Sequence, residues 1–139
     1  QIFVQSHWYA PYYLPIRSFR ALLGLKEGTQ VAGMLEGADA AIVVIADPDK
    51  TDVWVEDASI AMANMHLAAD ALGIGSCWIQ GRLRKTPSGM TTEDYVRDLL
   101  AVPAEYRLES IMSLGMPAEH PEAYEVDKLP WDKVHKETF

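Results

Sequence analysis

From Ala40 to Ala46 the chain reads AAIVVIA, an unbroken apolar run closed at once by Asp47-Pro48-Asp49. A β-branched run of strand length with turn residues behind it predicts a strand covered on both faces. The next segment changes period. Between Asp52 and Leu72, Ala61, Met65, Ala68 and Leu72 recur at helical spacing, and Ala58, Met62 and Ala69 widen the stripe. Asp52 is the expected N-cap, Glu56 and Asp57 suit the positive helix start, and Gly73 supplies the stop. Its many alanines let another backbone approach closely, which predicts a buried central helix.

Gly75 to Gln80, GSCWIQ, reads as a second buried strand, followed by a basic loop with Arg82, Arg84 and Lys85 that ends at Pro87-Ser88-Gly89. Thr91-x-x-Asp94 has the form of a capping box, and Val96, Leu99 and Leu100 give the helix behind it an inner face ended by Pro103. Arg107 to Met116 alternates as a third strand, stopped by Pro117. Beyond Ala118 the chain is polar and broken by prolines, yet carries Tyr124, Trp131 and Phe139. Aromatics on an extended tail predict an arm, residues 119–139, that packs on a partner. At the other end, Gln1–Val4 reads as a short strand. Pro11 and Pro15 then predict a surface loop leading into a helix near Ser18–Leu25, which Gly24 and Gly28 would fray. Strand–helix–strand–helix–strand predicts a three-layer α/β (α+β) fold in a single domain, residues 1–139.

Composition narrows the function classes. The 139 residues are 49% apolar, enough for a core, and the net charge of −8 disfavours nucleic acid and anionic lipid as partners. No apolar run approaches the ~20 residues of a membrane span. The single cysteine, Cys77, excludes an internal disulfide framework and a cysteine-based metal site, so a reducing, cytoplasmic location is expected. The chain begins at Gln1 with neither a methionine nor a signal-peptide pattern, and the expectation is that it is part of a longer gene product.

Several chemistries lack their motifs. There is no phosphate-loop lysine motif, no G-x-G-x-x-G opening a helix, and no G-x-S-x-G. His7, His66, His120 and His135 lack metal-ligand spacing, so no metal is expected. Cys77 lies between apolar strand residues without an evident base and reads as a packed cysteine rather than a nucleophile.

Four pieces in order carry a resemblance. AAIVVIADPDKTDVW, then DVWVEDASIAMANMHLAADALGIGSCWIQ, then YVRDLLAVPAEYRLESIMSLGMPAE, and last KLPWDKVHKETF resemble segments of the nitroreductase family, from Ala38 to Phe139. The resemblance implies a central mixed, mainly antiparallel sheet flanked by helices, with a domain-swapped C-terminal arm. It also implies a homodimer with FMN sites across the interface, oxidising NADH or NADPH and reducing a small-molecule acceptor such as a nitroaromatic or quinone. The protein's part is to position and tune the flavin.

Carried over residue by residue, the flavin-lining strand matches Cys77, Trp78, Ile79, Gln80 and Gly81. The backbone amide of Gln80 is the candidate donor to flavin N5, and Gly81 lets the ring approach; Trp78 and Ile79 read equally as core residues. Many relatives have a carboxylate where Gln80 stands. Lys128 matches the basic residue that reaches the FMN phosphate, while Arg82, Arg84 and Lys85 read as a solvated loop before they read as an NADPH phosphate site. The family's N-terminal arginine helix and its S-x-x-N-x-Q-P-W segment have no clear match. Arg17-Ser18-Phe19-Arg20 has a similar form, but the better register places Gln1–Val4 after the missing segment. Trp8, Tyr9, Tyr12 and Tyr13 then either cover the flavin or pack on a partner. The alternative reading is a catalytically degenerate, dimeric binding or regulatory protein on the same scaffold.

Overall fold

The computed structural model describes residues 35 and 37–138, together with the backbone of residues 12–15. The expected strand at Gln1–Val4 and helix near Ser18–Leu25, and with them Trp8, Tyr9, Arg17 and Arg20, lie outside the described residues.

Among the described residues four strands form one sheet in the order β1-β2-β4-β3: β1 is Tyr12–Pro15, β2 Ala40–Ala46, β3 Gly75–Gln80 and β4 Arg107–Gly115. All three described ladders are antiparallel. Among the described residues two helices complete the layers, α1 over Trp54–Ala71 and α2 over Thr92–Leu100. Strand β1 replaces the surface loop expected between Pro11 and Pro15, pairing Tyr12 with Val43 and Pro15 with Ala40. The prolines oppose a helix, as argued, but they do not oppose an edge strand, where a missing N–H goes unused.

Each face of the sheet carries its own core. Against α1 pack Val44 and Met112, with Ile42, Trp78 and Leu114, onto Ala58, Met62 and Met65. On the opposite face Ala41, Val43, Ile45, Leu108 and Ile111 meet Leu35, Val96 of α2 and Val102, with Ile79 and Leu100 beside them. The continuous apolar run of β2 is thus explained by two covered faces. β4 lies between β2 and β3 and is buried almost throughout, so its polar positions Glu109, Ser110 and Ser113 go inside as well.

Its alternation is also broken. Val44 pairs with Ser110 but Ile45 pairs with Leu108, leaving Glu109 as an extra residue in a β-bulge. The bulge lets Leu108 share a core with Ile111, although strict alternation would put them on opposite faces.

The helix α1 differs from expectation in two details. Val53, not Asp52, is its N-cap and makes no side-chain cap bond, whereas the Thr51 hydroxyl accepts from the Val53 N–H at 3.2 Å. The buried line is Ala58, Met62 and Ala69, while Ile60, Leu67 and Leu72 are exposed. At α2 the expected cap is present: Thr91 is the N-cap, its hydroxyl accepts from the Asp94 N–H at 3.0 Å and donates to the Asp94 carboxylate. That helix stops at Ala101 in a left-handed conformation, before Pro103. Residues 119–138 run exposed, with two short 3₁₀ turns at Val126–Lys128 and Trp131–Lys133. Among the described residues no helix is long and apolar enough to cross a membrane.

Candidate functional site

β3 is the edge strand of the described sheet, and the direction of its backbone groups follows from β4. The Leu114 carbonyl accepts from the Asp39 N–H at 2.8 Å, so it points toward β2. The Glu109 carbonyl accepts from the Arg82 N–H at 2.8 Å, so it points toward the β3 side. Backbone groups alternate along a strand, which turns Ser113 and Ile111 toward β3, where their partners are Cys77 and Ile79. The N–H and C=O groups of Trp78 and Gln80 then face the outer edge, which no described strand takes up. A flat ring that accepts a hydrogen bond at its edge fits such a row of unused amides.

The side chains do not form one lining. Trp78 packs toward α1 and Ile79 toward the other core. The Cys77 thiol is half-buried and lies 3.6 Å from the Trp78 carbonyl, a weak contact within its own strand. Gly81 is buried, and a Cβ there would lie 2.7 Å from Leu108 Cδ2 and 2.9 Å from its Cγ. The close approach that requires glycine at 81 is therefore to Leu108. Lys128 sits in the tail, 71% exposed, with its ammonium 2.8 Å from Glu125; within one chain it pairs there and not with the β3 residues.

Gln80 is committed at both ends of its amide. Its Oε1 accepts from Trp78 Nε1 at 3.0 Å and its Nε2 donates to the Arg82 carbonyl at 3.1 Å. A carboxylate accepts from Trp78 equally well but has no hydrogen for Arg82. The neutral side chain is thus explained by the turn that it closes. On α1, His66 Nδ1 lies 2.7 Å from the Ser76 hydroxyl, tying the start of β3 to the same helix.

Arg82 is the residue that the sequence reading undervalued. It is not a fully solvated loop cation: its guanidinium lies 5.7 Å from the centre of the Trp54 ring, and its Nε is 3.9 Å from Glu109 Oε2. Arg84 and Lys85 are exposed, as a solvated loop requires. The one cue the sequence held was Glu109, a carboxylate at a buried position of β4 that calls for a nearby cation. Leu83, next to Arg82, takes a positive φ of 58° with its side chain 82% exposed, an uncommon combination in a residue with a branched side chain.

Comparisons with known proteins agree with this architecture. The profile of the Nitroreductase family matches residues 25–116. A protein of Archaeoglobus fulgidus, provisionally named NADH dehydrogenase/NAD(P)H nitroreductase, is 35% identical over 92% of this chain and 74% of its own. An FMN-dependent nitroreductase structure from Clostridium difficile superposes with a TM-score of 0.81 at 37% identity, covering 94% of this chain and 76% of that one. A provisionally named nitroreductase from Desulfovibrio desulfuricans, solved in complex with FMN, shares the fold at 21% identity and a TM-score of 0.61, over 95% of this chain and 73% of that one. The chain spans about three quarters of the length of these relatives. With a profile match over most of its length and a three-layer α+β architecture to accompany it, the chain belongs to the nitroreductase family.

Proposed function

We propose that this chain forms a homodimeric, FMN-dependent oxidoreductase that takes electrons from NADH or NADPH and delivers them to a small-molecule acceptor such as a nitroaromatic or a quinone. The observation that carries the proposal is the outward-facing backbone of Gln80 on an edge strand whose side chains are already fixed. When bound, FMN supplies the hydride chemistry itself. The protein's residues supply position and field. Gln80 offers a backbone donor to the ring edge, and its side chain, locked between Trp78 and Arg82, keeps that donor aimed. Cys77, Trp78 and Ile79 of β3, with Gly81 just beyond its end, back the ring. Arg82 places a positive charge beside it, which favours an electron-rich ring.

The dimer is supported by apolar side chains left in solvent. Ile60 and Leu67 on α1, Leu72 at its C-cap, Leu83 and Met116 near β3, and Tyr124, Val126, Trp131 and Val134 in the tail are all exposed in the single chain. A soluble monomer rarely leaves so many large apolar groups uncovered. In the proposed assembly residues 119–139 are an arm lying on the other subunit, and Lys128 reaches an FMN phosphate from it. The whole chain, residues 1–139, is then one domain with an exchanged tail.

The test is one preparation. Purified protein incubated with FMN, passed through gel filtration, should elute at twice the chain mass with flavin absorbance. That absorbance should bleach when NADH or NADPH is added without oxygen. A colourless peak after FMN incubation contradicts the proposal and favours a scaffold without this chemistry.

A further inference from the structure

Glu109 is the extra residue of the β4 bulge, and the bulge decides where its side chain goes. It turns toward α1, where its side chain is only 5% exposed. Its partners are few for a buried carboxylate. Oε1 accepts from the Ser59 hydroxyl at a long 3.5 Å, and Oε2 has no hydrogen-bond partner. The nearest cation is Arg82, whose Nε is 3.9 Å away, beyond a good hydrogen bond. A carboxylate held this way carries an uncompensated cost of charge burial, which hydrophobic packing alone would avoid.

The same residue grips the exit of β3 in two ways. Its carbonyl accepts from the Arg82 N–H at 2.8 Å. Its carboxylate faces the guanidinium that lies over Trp54. Gln80, through its own side chain, is fastened to the Arg82 carbonyl.

We propose that Glu109 is a positioning residue for the exit of β3: as the carboxylate it holds Arg82 over Trp54, and on protonation it releases the guanidinium and loosens the Gln80–Arg82 backbone. The consequence for the flavin rests on the function proposed above, since it is Gln80 that would face the ring. Among the described residues, the charged and polar groups around Glu109 are Glu56 and Ser59 from α1 and Arg82 from the strand exit, while β2 presents Val44 and Ile45 across the bulge.

Burial raises the Glu109 carboxyl above the usual glutamate range; Arg82 and the Ser59 hydroxyl oppose the rise, and Glu56 adds to it. The sign for stability follows. With its folded value above its unfolded one, the group binds more protons in the folded chain, so stability falls as pH rises between the two values.

The experiment is a pH titration of the full chain labelled with ¹³C at the glutamate carboxyls. One carboxyl resonance, assigned by its loss in Glu109→Gln, should titrate above the exposed glutamates. The midpoint should move up in Arg82→Gln and down in Glu56→Gln. Both change side chains at or near the surface, so the test survives if Glu109→Gln fails to fold. Tryptophan fluorescence should change with the same midpoint in the parent chain and lose that change in Trp54→Phe. A Glu109 resonance that titrates with the exposed glutamates overturns the proposal, as does a midpoint unmoved by both neighbouring variants. FMN uptake is scored separately. Flavin binding without this titration defeats the role of Glu109 alone, and the titration without flavin binding defeats only the flavin reading.

Discussion

Gly81→Ala is expected to unfold at a clearly lower urea concentration than the parent, with an unchanged dependence on denaturant, at matched protein concentration. The added Cβ would stand 2.7 Å from Leu108 Cδ2 and 2.9 Å from Cγ, and Leu108 is itself buried in the core beside Ile45 and Ile111. The clash involves more than the flexible end of that side chain. Either Leu108 leaves its rotamer or the β3 exit moves outward, and overpacking of this kind costs about 1–3 kcal/mol. If the strand exit moves, Gln80 moves with it, so FMN affinity should fall in the same variant. Leu108→Ala opens the space that the new methyl needs. The double variant should therefore lose less than the sum of the two singles, and strict additivity would show that the two positions do not meet.

Replacing Glu93 is the second large change. This carboxylate sits on the first turn of α2 and gathers three donors. Oε1 accepts from Arg107 Nη1 at 2.7 Å and Arg97 Nη2 at 3.1 Å, and Oε2 accepts from the Leu108 N–H at 3.0 Å. It thereby joins α2 to the start of β4, next to the bulge. Burial raises its carboxyl, but hydrogen bonds from Arg107, the Leu108 N–H and Arg97 together outweigh burial and hold it below the ordinary value of 4.5. A carboxylate with a depressed folded value stabilises the fold above its unfolded value and loses that contribution as pH falls through the folded one. Glu93→Ala leaves the Leu108 N–H without its acceptor and takes one of three partners from the Arg97 guanidinium, which keeps Asp94 and the Tyr106 carbonyl, and should cost about 1–3 kcal/mol near neutral pH. Measured by urea unfolding from pH 7 downward, the gap between parent and variant should narrow below pH 4.5. A gap constant with pH would show that the charge of Glu93 contributes nothing. This slope is opposite in sign to that of Glu109, although both residues brace the same stretch of β4.

How far the sequence led can be argued element by element. β2 was legible because an unbroken apolar run closed by turn residues has few other readings; β3 has the expected limits, but as an edge strand it is half-buried throughout and not buried as expected. The start of α2 was legible because an N-cap is a local, directional signal. The buried stripe of α1 was read one line off. Alanine on nearly every side of that helix gives little contrast, and Ile60, Leu67 and Leu72 belong to a face exposed in the single chain. β1 was missed because prolines argue against helix without arguing for a particular partner strand.

The site was less legible than the fold. That Gln80 faces an outer edge depends on which neighbour β4 bonds through which residue, a fact of register that composition does not carry. Equally hidden was the bulge, since one inserted residue changes faces without changing the apolar pattern of RLESIMSLG. Trp54, Arg82 and Glu109 meet only because three elements converge, and no spacing in the sequence links them.

The central claim is that the outer edge of β3, at Gln80, meets the flavin. Amide hydrogen exchange resolved along β3, with and without FMN, tests it most directly. Cys77 and Ile79, turned to β4, should be protected in both states, whereas Gln80 should exchange faster without FMN and slow when it is added. Gln80 protection unaffected by FMN, in protein that demonstrably binds it, would contradict the claim.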